Sequence, residues 1–397
     1  MTWLKCQKNR PPDILTYKKY KGGKMKYRNV REISMSLIPI AAFLLALFIG
    51  TIMIAFLGVN PLVAYQALLK GAFGSTNAIA DTVVKATPLL FVGLGICIAF
   101  RAGVLNIGGE GQLVVGALSA TIICLNFVEL PGWMLIILAL FVGFFCGAIW
   151  AGIAGYLKAY FKVNEILSTI MLNYIAAYGM NYLLRGPIMD PLQIELGSFI
   201  PQTTRLTHVV DLPRLIPTRL HFGTIVAVVF AILVYIFLWR TTIGFRIRMI
   251  GQNIQASRAS GINVQKYMVL AFILSGALVG LGGAIEVLGV HHRLFTDGSV
   301  SGFTGSAGFN GIVAALFGQL HPIGTIPASL LLGALLTGAN KMQRVVQIPS
   351  ALIGALNGLI VLFVVGSEYL RRSQTRRMER TEDTKYNSKN KNKKESQ

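Results

Sequence analysis

The sequence predicts an all-α fold, a polytopic inner-membrane helical bundle with about ten transmembrane helices. Of its 397 residues, 54% are hydrophobic and 13% are charged, and the mean hydropathy is +0.61. Soluble domains carry about 25% charged residues. Apolar runs of about 18 residues or more, the length that spans a bilayer, recur over 36–370. We therefore expect one continuous transmembrane domain over 36–370 rather than several soluble domains.

Three basic segments carry most of the formal charge of +21. Residues 1–35 contain ten Lys and Arg against two acids, residues 371–397 contain ten against four, and residues 240–266 contain five against none. The positive-inside rule predicts that all three segments, and so both termini, are cytoplasmic. The leader 1–35 and the tail 371–397 are predicted to be disordered and attracted to anionic membrane lipid. This distribution argues against nucleic acid as a partner, because the charge does not form one patch.

Cytoplasmic termini require an even number of spans, and the hydropathy supports ten. We expect the spans at 36–58, 82–100, 111–128, 132–157, 165–185, 222–239, 267–290, 309–320, 323–341 and 350–370. Residues 186–221 then form an external loop. Residues 309–320 give only about 18 Å of helix, which is less than the ~30 Å of hydrocarbon. This stretch is therefore either a short span or a re-entrant segment. If it is re-entrant, the number of spans becomes odd.

A break near 101–111 interrupts the apolar pattern. It places Arg101, Glu110 and four glycines between two long apolar runs. A charge in hydrocarbon costs ~2.5–3.5 kcal/mol on insertion scales, so such residues usually face a polar interior. Irregular backbone at membrane depth is tolerated only inside protein or beside water. The sequence therefore predicts a broken or re-entrant segment that is also a candidate transport site.

Polar residues within the apolar spans are the candidates for the substrate pathway. They are Asn106, Glu110, Gln112, Asn173, Asn181, Glu286 and Asn310, with Glu165 and Asn357 as further candidates. Eight residues separate Asn173 from Asn181, which puts them ~80° apart on a helix.

Glu286 lies among Gly282, Gly283 and Gly289, where a cavity-lining role is favoured, and the other candidates also have a structural interpretation. Asn106 and Gln112 can cap half-helices at the break, and Glu110 can form a buried ion pair with Arg101. Glu165 can stabilise a helix N-terminus. The other asparagines can form interhelical hydrogen bonds. The sequence leaves both interpretations open.

Several motifs together indicate a family. They are Phe100-Arg101-Ala102-Gly103 followed by Asn106-Ile107-Gly108-Gly109-Glu110-Gly111-Gln112, the stretch Val163–Tyr174, the loop Arg246–Val264, and Leu274-Ser275-Gly276-Ala277. With these motifs the chain resembles, over 36–370, the permeases of bacterial ATP-binding-cassette importers. The subgroup that it resembles carries nucleosides and simple sugars and is related to the ribose and branched-chain amino-acid permeases.

The resemblance implies a subunit that forms half of a translocation pathway and catalyses no reaction itself. Its implied partners are a second permease subunit, a cytoplasmic ATP-binding subunit and an extracytoplasmic substrate-binding lipoprotein. The loop 240–266 would couple to the ATPase through Gly251, Asn253, Ala256, Arg258 and Gly261. The chain contains no Gly-(x)4-Gly-Lys-Ser/Thr phosphate loop. We therefore expect it to bind no cofactor, with ATP used by the partner subunit.

Two other classes of membrane protein fit parts of the pattern. In a self-contained secondary transporter, Glu110 or Glu286 would carry a proton, and inverted repeats would flank the site. A channel is the second alternative. The five histidines and four cysteines have no metal-ligand spacing, so no metal site is predicted.

Overall fold

The computed structural model describes residues 41, 44–195, 197–198 and 200–349, with eight further positions between 354 and 367. In this part of the chain the regular secondary structure is helical, and the β-pairing consists of two isolated bridges. One compact unit comprises 52–355, and a second comprises 1–51 with 356–397. In the second unit, residues 44–51 are helical. The predicted leader, tail, Asn357, the first part of the span 36–58 and most of the span 350–370 lie outside the described residues.

Six of the described helices are long and apolar enough to cross a membrane: α3, α4, α5, α8, α11 and α13. The helices are α1 (Leu44–Phe56), α2 (Pro61–Phe73), α3 (Thr76–Arg101), α4 (Gly109–Asn126), α5 (Gly132–Phe161), α6 (Glu165–Leu184), α7 (Pro191–Glu195), α8 (Gly223–Arg240), α9 (Thr242–Gln252), α10 (Ile254–Ala259), α11 (Val264–Glu286), α12 (Ala307–Phe317) and α13 (Pro322–Val346). A π-helix, Val287–His291, extends α11.

The predicted all-α fold is confirmed over the described residues, whereas the number of ten spans stays a prediction. Helix α3 begins six residues before the predicted 82–100, because the hydroxyl of Ser75 accepts a hydrogen bond from Ala78 N at 3.2 Å and caps the helix. Helix α2 was not predicted. The start of α2 could have been predicted from the sequence, because Asn60 caps the helix and Pro61 occupies its first position. The predicted span 309–320 is α12, whose eleven residues are too short to cross a bilayer alone.

The bundle is centred on α3 and α11, which are largely buried. Glycines allow α11 to approach its neighbours closely. A Cβ added at Gly147 of α5 would lie 2.7 Å from Gly280 Cα, and one added at Gly95 of α3 would lie 2.7 Å from the carbonyl oxygen of Ser275. Helices α5 and α8 present apolar side chains outwards. Their exposed faces suit contact with lipid or another subunit.

The predicted external loop 186–221 folds back on the segment that follows α11. Thr203 N donates to the carbonyl oxygen of Leu294 at 2.9 Å, and Leu206 N donates to that of His292 at 2.8 Å. Near this pairing, Asp211 contacts Arg205 at 3.3 Å and His292 at 2.7 Å. The two segments therefore form one layer at the end of the bundle opposite α10.

We expect Gly147→Val to destabilise the bundle, because its Cβ would overlap α11 where helix backbones meet. Overpacking of this kind costs typically 1–3 kcal/mol. Thermal unfolding of the purified protein in detergent measures the effect. Gly179→Val on α6 is the matched control, since a Cβ there meets no atom within 4 Å. Equal melting temperatures for the two variants would contradict the proposed glycine contact.

Candidate solute pathway and coupling surface

The predicted break lies between α3 and α4. Helix α3 ends at Arg101, residues 102–108 are irregular, and α4 begins at Gly109. Gly103 has φ +77°, a conformation that costs glycine little. The chain therefore reverses inside the bundle, where its backbone groups need partners from the protein.

Asn106 holds the break through four hydrogen bonds and is fully buried. Its Nδ2 donates to Ser275 Oγ at 2.8 Å and to Gln112 Oε1 at 3.2 Å. Its Oδ1 accepts from Gly108 N at 2.9 Å and from Gln112 Nε2 at 3.0 Å. We call Asn106, Gln112 and Ser275 the break cluster. It ties the irregular segment to α4 and α11.

Helix α4 is capped by a side chain from another helix. Its N-cap residue, Gly108, has no side chain with which to cap. Instead, Asn173 of α6 accepts a hydrogen bond from Gly111 N at 2.8 Å and donates one to the carbonyl oxygen of Ile107 at 3.0 Å. One buried amide therefore satisfies a free N–H of the helix start and a free C=O of the break.

Helix α12 is capped in the same way by Glu110. Its N-cap residue, Ser306, makes no side-chain capping bond. Phe309 N, in the first turn of α12, donates to Glu110 Oε1 at 3.1 Å, and the Thr304 hydroxyl donates to Oε2. The N-terminal ends of α4 and α12 meet at this carboxylate, and both helix dipoles favour its negative charge. This arrangement accounts for a fully buried acid in an apolar span.

Arg101 has partners other than Glu110. Its Nε donates to the carbonyl oxygen of Leu320 at 3.1 Å, and its guanidinium carbon lies 5.3 Å from the centre of the Trp239 ring. The alternative of an Arg101–Glu110 ion pair is therefore replaced by the contact of Glu110 with α12.

The remaining predicted residues are dispersed. Asn181 is half-buried and accepts a hydrogen bond from Arg185 Nε at 3.0 Å, near the end of α6. Asn310 is half-buried on α12. Glu165 begins α6 and contacts Lys158 Nζ at 2.6 Å, so it stabilises a helix start. Among the described residues of the predicted set, Asn106, Gln112, Glu110 and Asn173 are the ones that meet at the break.

Glu286 belongs to a second polar group, at the end of α11. Its Oε1 lies 3.4 Å from His291 Nε2 across the π-helix. Lys85 of α3 and the buried His221 lie within electrostatic range of it. We call these four residues the outer cluster. Charged groups inside spans usually have functional roles, and π-turns are frequent at functional sites.

Sequence reasoning missed two members of the outer cluster. Lys85 could have been found, because it is a lysine within an apolar span. His221 could not have been found, because its ring lies against Gly289 only in the folded chain. A Cβ added at Gly289 would lie 2.8 Å from the His221 ring. Burial lowers the pKa of His221, so its ring is neutral near pH 7.

The predicted coupling loop forms two helices, α9 and α10. Asn253 lies between them, and its side chain caps α10 by accepting from Gln255 N and Ala256 N, each at 3.0 Å. Every residue of α10 except Ser257 is exposed, including Ala256 and Arg258. Gly261, at φ +76°, then turns the chain towards α11. The result is a short helix that protrudes from the bundle.

Gly251, at the end of α9, packs directly on the break. A Cβ added there would overlap the Arg101 carbonyl group and lie 2.9 Å from Gly103 N. A Cβ added at Gly103 would lie 3.1 Å from Gly251 Cα. The base of the protruding helix therefore touches the segment that leads to Asn106, with backbone against backbone.

Comparison with known proteins identifies the family. Residues 78–365 match the family described as the branched-chain amino acid transport system permease component. The chain belongs to this permease family. Together with the six apolar helices, this makes it the permease subunit of an ATP-binding-cassette importer, a multi-pass protein of the bacterial plasma membrane.

Three curated relatives align over most of the chain. The guanosine ABC transporter permease protein NupP of Bacillus subtilis is 35% identical over 86% of this chain and 96% of its own length. The glucose ABC transporter permease protein TsgB13 of Haloferax volcanii is 32% identical, over 84% and 88%. The nucleoside ABC transporter permease protein NupB of Lactococcus lactis is 30% identical, over 83% and 90%. No solved structure matches significantly.

We expect Asn173→Ala to destabilise the break, because it leaves Gly111 N–H and the Ile107 carbonyl without their partner. Each buried polar group left unsatisfied costs about 1–3 kcal/mol. Melting temperatures in detergent measure the loss. Asn181→Ala on the same helix is the control, since its half-buried side chain is accessible to water. The capping role is wrong if the two substitutions cost the same.

Proposed function

We propose that this subunit imports nucleosides or related simple sugars. Two of the relatives above are named for guanosine and for nucleosides, and one is named for glucose. Carboxylate and histidine groups such as those of the outer cluster form hydrogen bonds with sugar hydroxyls and base edges. The proposed solute is therefore polar and rich in hydroxyl groups.

The proposed assembly contains a cytoplasmic ATP-binding subunit, a second permease subunit and an extracytoplasmic substrate-binding lipoprotein. In this proposal ATP is bound and hydrolysed by the partner, and this chain binds no cofactor. The observation that carries the proposal is the protruding helix α10 with Gly251 packed on the break. Such a helix can receive motion from a docked protein and pass it to the pathway.

The proposed coupling runs through four steps. The ATP-binding subunit displaces α10, and Gly251 at the base of α9 presses on Arg101 and Gly103. Because this contact is between backbone atoms, no side-chain rearrangement can absorb the displacement. The displacement then reaches Asn106, whose hydrogen bonds to Gln112 and Ser275 transmit it to α4 and α11. Movement of these helices would open the solute pathway alternately to each side of the membrane.

Among the predicted pathway residues, we propose Glu286 as the direct solute contact. The polar groups of Asn106, Gln112, Asn173 and Glu110 are engaged within the chain. Glu286, in contrast, is held by one 3.4 Å contact to His291, which a solute hydroxyl can replace. Asn310 is the second candidate, because it is half-buried beside the exposed ring of Phe309.

Gly251→Val should uncouple ATP hydrolysis from transport. Its side chain would push α9 away from Arg101 while leaving the exposed face of α10 intact. Coupling energies of 1–3 kcal/mol predict a loss of about 5- to 150-fold in uptake per ATP hydrolysed. The complex reconstituted with its ATPase measures both quantities. Gly179→Val serves as the control. Unchanged uptake per ATP in Gly251→Val would refute this coupling path.

Glu286→Gln should weaken solute uptake. A hydrogen bond to a charged group contributes about 1.5–3 kcal/mol, which corresponds to a loss of about 10- to 150-fold. Competition by a panel of nucleosides and pentoses against a labelled nucleoside measures affinity and specificity together. Glu165→Gln is the control, because its partner Lys158 lies away from the outer cluster. Equal uptake by both variants would exclude Glu286 as the contact.

Purified chain reconstituted without partners provides the test of the function as a whole. We expect that the chain alone accumulates no solute against the solute's concentration gradient, whatever proton gradient is imposed. Proton-driven accumulation by the chain alone would contradict the importer and favour a secondary transporter.

A further inference from the structure

Three aromatic rings lie in mutual contact where the outer cluster meets the loop that follows α11. We call His291, Phe295 and Phe303 the aromatic trio. Measured between ring centres, His291 lies 5.1 Å from Phe295 and 5.3 Å from Phe303, and the two phenyl rings lie 5.9 Å apart. These separations are typical of attractive aromatic pairs. His291 belongs to both groups, because its Nε2 lies 3.4 Å from Glu286 Oε1.

The trio has a buried side and an accessible side. Phe303 is only 4% exposed, whereas Phe295 is partly buried and the His291 side chain keeps 21% of its surface exposed. Phe303 therefore supports the other two rings from within, and these two rings present surface to a solute. Backbone pairing with Gln202 holds Phe295 in the layer that the loop 186–221 forms, which the positive-inside rule predicts to be external.

A solute held at Glu286 would lie against these rings. In the contact proposed above, a solute hydroxyl takes the place of His291 at the carboxylate, and the rest of the solute then adjoins the His291 ring and Phe295. Phenyl rings carry no hydrogen-bonding group, so hydroxyls pressed against them would lose water without gaining a partner. An aromatic base, in contrast, stacks favourably on such rings. The pair of surfaces therefore suits a solute with hydroxyls at one end and a flat ring at the other.

We propose that the aromatic trio is a nucleobase subsite, with Phe295 as the main stacking surface and Glu286 as the contact for the ribose hydroxyls. This inference rests on the function proposed above, because it extends the solute contact of Glu286 to a site with two parts. A nucleoside engages both parts, whereas a free pentose or hexose engages the carboxylate alone. The trio therefore selects nucleosides over simple sugars.

The test uses the full-length chain purified with the second permease and the ATP-binding subunit. The substrate-binding lipoprotein is left out, so that its own specificity does not enter. Dissociation constants for labelled adenosine and for ribose give the preference for the nucleoside over the free sugar. Phe295→Leu should lower this preference by about 5- to 150-fold, the range for loss of one base–aromatic contact. Phe295→Tyr, which keeps the ring, should retain the preference.

Phe145→Leu is the matched control. Phe145 also belongs to a group of touching phenyl rings, with ring centres 4.4 Å from Phe141 and 5.5 Å from Phe144, but it lies on the outward face of α5. This substitution should leave the preference unchanged. Glu286→Gln should weaken adenosine and ribose alike, because both solutes present hydroxyls to the carboxylate.

Photolabelling of the wild-type complex provides a readout that does not depend on the folding of a variant. The probe is an adenosine that carries a photoreactive azide on its base. After irradiation, peptide mass spectrometry should find the label within 287–303. Unlabelled adenosine should prevent this labelling at concentrations at which ribose does not.

Three results would overturn the proposal. An equal preference in Phe295→Leu and the wild type would mean that the trio only packs the loop. An equal loss in Phe295→Tyr and Phe295→Leu would mean that the substitutions disturb the fold and not a stacking contact. Labelling outside 287–303 would place the base elsewhere. If Glu286→Gln still reduces uptake in any of these cases, the proposed function stands without the subsite, whereas a complete transporter that takes up no nucleoside refutes both.

Discussion

The structure depends on how two helices begin inside an apolar bundle. Helices α4 and α12 start without caps of their own, and free N–H groups cannot be left unpaired away from water. Asn173 supplies the cap for α4, and Glu110 supplies the cap for α12. Because each cap comes from a different helix, α4, α6 and α12 are positioned by these bonds as well as by packing. The break at 102–108 can persist in the bundle only with these partners.

The same constraint explains why the proposed coupling surface and the proposed pathway are joined. The reversal at Gly103 brings the end of α3 against Gly251, and Asn106 binds the other side of the reversal to α11 through Ser275. In the proposed coupling, a displacement of α9 reaches α4 and α11 through these hydrogen bonds and backbone contacts. The outer cluster lies farther along α11, so one helix connects the break to the proposed solute contact.

Much of this arrangement was predictable from sequence, and the rest required the fold. Hydropathy and the glycine-rich motif located the break, because irregular polar sequence between apolar runs has few other interpretations. The ambiguity between capping and solute contact could not be resolved for Asn106 or Asn173, since their partners lie 169 and 62 residues away. The pairing of Glu110 with α12 was missed for the same reason. His221 joins the outer cluster only in the folded chain, where its ring packs against Gly289 of the π-helix.

Hydrogen exchange of the reconstituted wild-type complex, with and without trapped nucleotide, tests the capping most directly. Protection should be high at Gly111 and Phe309 in both states, although both amides lie in the first turns of helices, which ordinarily exchange quickly. The exposed loop around Gly261 should exchange fast as an internal reference. If the amides of Gly111 and Phe309 exchange as fast as that loop, the capping bonds do not hold the break, and the account is contradicted.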